Sequence, residues 1–126
     1  MPSSLRRQAL RIFRAAVEAA APAEAVSRHV KLRGDTLAAG PHRYRLKDFA
    51  NIYVIGAGKA GAQMAQAVER LLGPRISHGF VNVPTGESAR WRRIELNASG
   101  HPVPDARGEQ GAARVAEIAH EAGPGD

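Results

Sequence analysis

The chain has 126 residues, of which 44% are hydrophobic and 24% charged, a mixture that suits one globular domain and excludes a disordered or fibrous one. It contains no cysteine, so disulfides and thiolate chemistry are excluded and a reducing, cytoplasmic setting is expected. Eighteen basic and twelve acidic residues leave a formal charge of +6, yet the positive charges are spread along the chain without a nucleic-acid motif, so a solvated surface with a modest attraction for small anions is expected, and no nucleic-acid partner.

The first twenty residues are rich in arginine and poor in acids, as a transit peptide would be. Leu5, Ala9, Ile12, Phe13, Ala16, Val17 and Ala20 nevertheless recur at helical spacing, with Arg6, Arg7, Arg11, Arg14 and Glu18 on the other side. This pattern predicts a surface helix packed on a domain. No apolar run reaches the length of a membrane span, so no membrane partner is expected. Pro22 suits the first turn of a second helix, reaching roughly Val30. Gly34-Asp35 and Gly40-Pro41 punctuate two short stretches, 36–38 and 42–46, that read as a small peripheral hairpin outside the core.

Asn51 to Ile55 is the first strongly apolar strand, and a helix is predicted over 59–72. Its expected inner face is Gly61, Met64, Ala65, Val68, Leu71 and Leu72, and Gly73-Pro74 ends it. Strands follow at 79–83 and 94–98, the latter alternating Ile94, Leu96 and Ala98 with Glu95 and Asn97. A last helix runs to about Ala122, with Ala112, Val115, Ala116 and Ala119 expected to face inward. Strands joined through helices predict an α/β fold, a Rossmann-like parallel sheet with flanking helices. Ligands of such sheets lie beyond the carboxyl ends of the strands.

Two segments leave strands at that rim. The first, Gly56-Ala57-Gly58-Lys59-Ala60-Gly61, lets the backbone turn sharply before a helix whose free N–H groups and positive dipole end favour an anion. Its glycine spacing fits a dinucleotide turn, but the second strand lacks the acid that would hold the ribose, the nearest being Glu87. A Walker A loop is excluded, because Lys59 neither follows the last glycine nor precedes Ser or Thr. What remains is a lysine-bearing glycine turn suited to a carboxylate or phosphate. The second segment, Gly100-His101-Pro102-Val103-Pro104-Asp105, has a backbone stiffened by two prolines, and Asp105 is placed to cap the last helix. His101 reads equally as an exposed residue of a rigid connection and as a donor, acid or base toward an anionic substrate. No histidine pair has metal-ligand spacing, so no metal site is expected.

Together, Tyr53-Val54-Ile55-Gly56-Ala57-Gly58-Lys59-Ala60 followed by Met64-Ala65, and Gly100-His101-Pro102-Val103-Pro104-Asp105, resemble the N-terminal part of the glycerate 2-kinases of the MOFRL type, often labelled hydroxypyruvate reductase. The resemblance spans nearly the whole chain, including Arg11-Ile12-Phe13-Arg14-Ala15-Ala16-Val17 and Pro22. It implies ATP- and magnesium-dependent phosphorylation of D-glycerate at its 2-hydroxyl, in a cleft between this domain and a C-terminal one. It also implies a functional role for Lys59, with Gly56, Ala57, Gly58, Gly61, His101 and Asp105 as substrate or nucleotide contacts.

The chain ends at Gly123-Pro124-Gly125-Asp126, where members of that family continue into another strand and a serine- and glycine-rich loop. Pro84-Thr85-Gly86-Glu87 also lacks the basic or aromatic residues expected before its glycine. Residues 1–126 are therefore expected to be a single partial domain, inactive alone, whose unpaired sheet edge favours a homo-dimer. An NAD(P)H-dependent hydroxypyruvate reductase and a non-catalytic small-anion binding module remain as alternatives.

Overall fold

The computed structural model describes residues 4–87 and 93–126. Two helices, α1 (Ser4–Ala19) and α2 (Pro22–His29), lead into a three-stranded antiparallel meander of β1 (Val30–Arg33), β2 (Thr36–Ala39) and β3 (His42–Arg45). A second sheet follows, built from β4 (Tyr53–Ala57), β5 (His78–Pro84) and β6 (Ile94–Ser99), with α3 (Gly61–Leu72) after β4 and α4 (Ala106–Glu121) after β6. Its order is β4-β5-β6, all parallel, with Tyr53 opposite His78 and Gly79 opposite Ile94. The expected parallel α/β fold is present.

The two helices cover opposite faces of this sheet, because successive strand residues point to alternate sides. Gly61 of α3 approaches Val81 and Val83, whereas Gly111 of α4 approaches the intervening Asn82 and its neighbour Asn97. The core gathers Ala62, Ala65 and Leu72 of α3 with Ile76, Val81, Val83 and Ile94 of the sheet. The C-terminal residues return to the start of β4, where Ala50 N–H donates to the Gly125 carbonyl at 2.8 Å and Asn51 Nδ2 donates to Asp126 Oδ1 at 3.0 Å. β4 pairs with β5 along one edge, and no described strand pairs with its other edge, where Ile55 is 44% exposed.

Several expectations are corrected. The expected hairpin is a three-stranded meander, because α2 stops at His29 and Val30–Arg33 pairs with β2. Nor is it peripheral: Leu46 belongs to the core and Leu32 and Leu37 pack against it. The charged residues Lys31 and Arg33 alternate with inward Val30 and Leu32, which hides a short strand behind a polar composition. β4 extends to Ala57 and α3 begins at Gly61 rather than 59, so Gly56 and Ala57 are strand residues and Lys59 lies wholly in the turn.

The inner faces of two helices also differ from the pattern. Met64 is 44% exposed, and α3 buries Ala62 and Ala67 beside the expected Ala65 and Leu72. In α4 the buried residues are Gly111 and Ile118, while Ala112, Ala116 and Ala119 are exposed. Alanine is indifferent to burial and so marks no face, whereas the close approach of α4 to the sheet selects glycine. Finally, α1 is a helix as expected but is not packed: none of its residues is buried, with Leu5, Ile12 and Phe13 at least 65% exposed. Helical periodicity reports amphipathicity, not the presence of a partner.

Candidate anion-binding rim

The glycine turn forms because β4 must hand its chain to α3 within three residues. Gly58 takes φ +120°, a left-handed value that favours glycine, and its N–H donates to the Asn82 carbonyl at 3.0 Å. Gly61 N–H returns to the Gly58 carbonyl at 3.0 Å, closing the turn. A side chain at Gly61 would bring its Cβ to 2.9 Å from Val81 Cγ1, so glycine lets α3 lie against β5. No side chain caps the first turn of α3, whose N-cap position is Ala60. Among the described residues, therefore, no side chain caps its dipole end and terminal amides.

Lys59 is exposed in this turn, and no described carboxylate pairs with it. A free cation beside uncapped helix amides is a chemically apt phosphate or carboxylate receptor.

The second segment departs from β6. Gly100 is required where it stands, since a Cβ would meet the Val103 carbonyl oxygen at 2.6 Å and the Asp105 carboxylate at 2.9 Å. The His101-Pro102 bond is cis, and both His101 and Val103 are exposed. Asp105 is the N-cap of α4, as the sequence predicts: Oδ1 accepts from Gly108 N–H at 3.1 Å. Its Oδ2 accepts from Arg107 at 2.6 Å and 2.9 Å. The Gly100 N–H bond first, then Arg107 and the Gly108 N–H, hold the carboxyl down at about 2, against an ordinary value of 3.8.

The lowered value has a measurable consequence. A carboxyl with a depressed folded-state pKa stabilises the fold above its unfolded pKa and loses that contribution as pH falls through the folded one. The stability that Asp105 supplies is thus complete above about pH 4 and lost toward about pH 2. Asp105→Asn, which retains capping ability, is expected to flatten the acid limb of a denaturation-versus-pH profile; an unchanged slope would refute this.

The segments leave β4 and β6 at the same carboxyl edge of the sheet, with the turn after β5, Thr85–Glu87, between them. Sequence reasoning missed two groups here. Arg107 donates to Thr85 Oγ1 at 3.2 Å as well as to Asp105, joining the β5 turn to the α4 start. Thr85 Oγ1 and N–H in turn donate to the Ser99 carbonyl, each at 3.0 Å. No sequence signal marks Arg107 among so many arginines. Asn82 and Asn97 did carry one, being poor strand formers within the adjacent strands β5 and β6.

The rim offers a bare magnesium ion few ligands. Among the described residues no three histidine or acidic side chains cluster for a metal. Magnesium ordinarily sits on one or two carboxylates and the substrate's phosphates, and Asp105 already has both oxygens engaged. These residues do not by themselves make a magnesium site.

Comparison with known proteins places this geometry. Residues 8–126 match the family described as "Domain of unknown function (DUF4147)". The chain is 31% identical over 118 residues to a glycerate 2-kinase of Pyrococcus horikoshii, covering 94% of this chain and 26% of that protein. It is 33% identical over 123 residues to an Agrobacterium vitis protein provisionally named hydroxypyruvate reductase, covering 98% of this chain and 25% of that one. A solved Pyrococcus horikoshii structure superposes with a TM-score of 0.83 at 30% identity, covering 100% of this chain and 28% of that one. The chain thus spans about a quarter of the length of the curated relatives it matches. With a family model matched over residues 8–126 and a fold shared with a solved homologue, the chain belongs to the DUF4147 family and is a homologue of glycerate 2-kinases.

Proposed function

We propose that this chain supplies the phosphate-holding rim of an ATP-dependent glycerate 2-kinase and does not catalyse the reaction alone. The observation that carries the reading is Lys59: an exposed, uncompensated cation in a glycine turn, ahead of an uncapped helix, at the carboxyl edge of a parallel sheet. In phosphoryl transfer from ATP to the 2-hydroxyl of D-glycerate, the hydroxyl oxygen gains the γ-phosphoryl group, its proton is released to solvent and ADP leaves. Such chemistry depends mainly on positioning and on neutralising phosphate charge, which a lysine and helix amides provide. Magnesium bound with the nucleotide would supply further charge neutralisation. The relatives' names support glycerate as the substrate class.

A coupled assay with ATP, magnesium and D-glycerate tests the claim of inactivity; turnover typical of a complete kinase, about 1–100 per second, would sink it. ATP binding by calorimetry tests the rim itself. A reductase would bind NADH instead, and nicotinamide fluorescence enhancement would favour that reading. The absence of an acid in β5, Gly79-Phe80-Val81-Asn82-Val83, argues for the kinase.

The setting we propose is cytoplasmic, and no described helix is long and apolar enough to cross a membrane. Self-association belongs to the same proposal, because β4 offers an edge without a described partner and α1 an uncovered apolar stripe. Light scattering is expected to report species larger than the monomer; a clean monomer at high concentration would count against it.

A further inference from the structure

Asn82 and Asn97 are register partners in adjacent strands, half-buried beneath the first turn of α4. Asn97 Nδ2 donates to Asn82 Oδ1 at 2.8 Å and to the Arg107 carbonyl at 3.0 Å. Asn82 Nδ2 donates to the Gly108 carbonyl at 3.3 Å. Carbonyls in a helix's first turn already have partners one turn on, so the helix needs neither asparagine for satisfaction. Two valines would fill the strand positions with better propensity and more apolar burial. What the amides add is directionality: they fix where α4 begins relative to the sheet.

The fit is close. A Cβ at Gly111 would collide with Asn82 Oδ1 and lie 2.6 Å from Asn97 Nδ2, so glycine is what allows α4 to sit on the pair.

The same Asn82 holds the other segment through its backbone, its carbonyl accepting the N–H of Gly58, the residue before Lys59. One residue of the central strand therefore grips both halves of the rim, the glycine turn by its main chain and the α4 start by its side chain. Arg107, whose carbonyl Asn97 holds, extends the linkage to Asp105 and Thr85.

We infer that Asn82 is a positioning residue that sets the spacing between the Lys59 turn and the 100–108 segment, so that a displacement of α4 is transmitted to the glycine turn. Its consequence for ligand affinity rests on the phosphate-site reading above; the mechanical linkage does not. A preorganised pair of segments binds more tightly than two that must be brought into place.

The test separates the two. In the ligand-free 126-residue chain, amide resonances are recorded for Gly111→Ala, Asn82→Ala and the double variant. Gly111→Ala pushes α4 off the asparagines, and the Gly58 and Lys59 amides are expected to shift with it. Asn82→Ala removes the carboxamide nearest the new methyl and releases Asn97 Nδ2, 2.6 Å from it, to turn aside, so in the double variant those amides should return to their positions in Asn82→Ala alone. Shifts confined to α4 and its immediate sheet contacts, with Gly58 unmoved, would overturn the inference. If Gly111→Ala does not fold, Asn97→Ala removes the tie to Arg107 without adding bulk and is judged by the same resonances. Titration with ATP gives the functional arm: Asn82→Ala, with Lys59 intact, is expected to weaken binding about tenfold. Unchanged affinity would refute the positioning role in binding. Failure of the wild-type chain to bind ATP would instead refute the phosphate-site reading, leaving the resonance result to decide the linkage.

Discussion

Lys59→Ala is expected to lower the affinity of this chain for ATP by roughly 10- to 100-fold, the range that loss of about 1.5–3 kcal/mol from one charge-assisted contact produces. No described acid compensates Lys59, so its charge is available to a ligand. It is also exposed, so its attraction for an anion is screened by salt. The loss should therefore be largest at low ionic strength and shrink as salt is added. Folding should be nearly unaffected, within about 0.5 kcal/mol, because the residue is exposed. Lys59→Arg should retain part of the affinity by keeping the charge while changing its geometry. Calorimetric titration at two salt concentrations measures all of this. Equal affinity in wild type and Lys59→Ala would remove Lys59 from the site.

The second large effect is on stability. Gly100→Ala is expected to cost about 2–4 kcal/mol, combining the penalty of overpacking with partial loss of a helix cap. The atoms that a methyl would strike are the Val103 carbonyl at 2.6 Å and the capping carboxylate of Asp105 at 2.9 Å. Neither is the loose end of a flexible side chain. Relief requires the loop to move, and with it the Asp105 bonds to Gly108 and Arg107. Gly34→Ala is the informative contrast. Gly34 has φ +58° but no atom within 4 Å of its missing Cβ, so only backbone strain of about 1–2 kcal/mol applies. Denaturant unfolding of the two variants should rank them in that order, and equal costs would show that the 100–105 loop yields more easily than its contacts indicate.

The behaviour of single elements shows how much was legible. β4, α3, β5 and β6 were readable because apolar runs bounded by Gly and Pro fall at strand and helix lengths. The Asp105 cap was readable because capping is a local contact three residues long. Local signals failed where the deciding interaction is made with another element. Val30–Arg33 is a strand because β2 lies beside it, and the mixed charges of Lys31 and Arg33 conceal it. α4 turns Gly111 and Ile118 inward, not the alanines, because Asn82 and Asn97 admit no side chain opposite them.

The candidate site divides the same way. The glycines, Lys59, His101 and Asp105 stand out in the sequence as turn and cap chemistry. Arg107 and Thr85 do not, since their association spans 22 residues and exists only once β5 and α4 are assembled. Asn82 and Asn97 look in the sequence like solvent-facing strand positions; the structure covers them with a helix.

By itself, then, the amino-acid order determined the α/β class, the lysine inside the glycine turn, the capped start of the last helix and the family likeness, all of which are read from short runs of neighbouring residues taken in chain order. The tertiary structure alone decided that Arg107 ties the β5 turn to the start of α4, that Asn82 joins both segments and that α1 lies uncovered. Those facts depend on which strands pair and how closely a helix settles on a sheet, and such contacts between distant residues leave no periodicity in the chain that makes them.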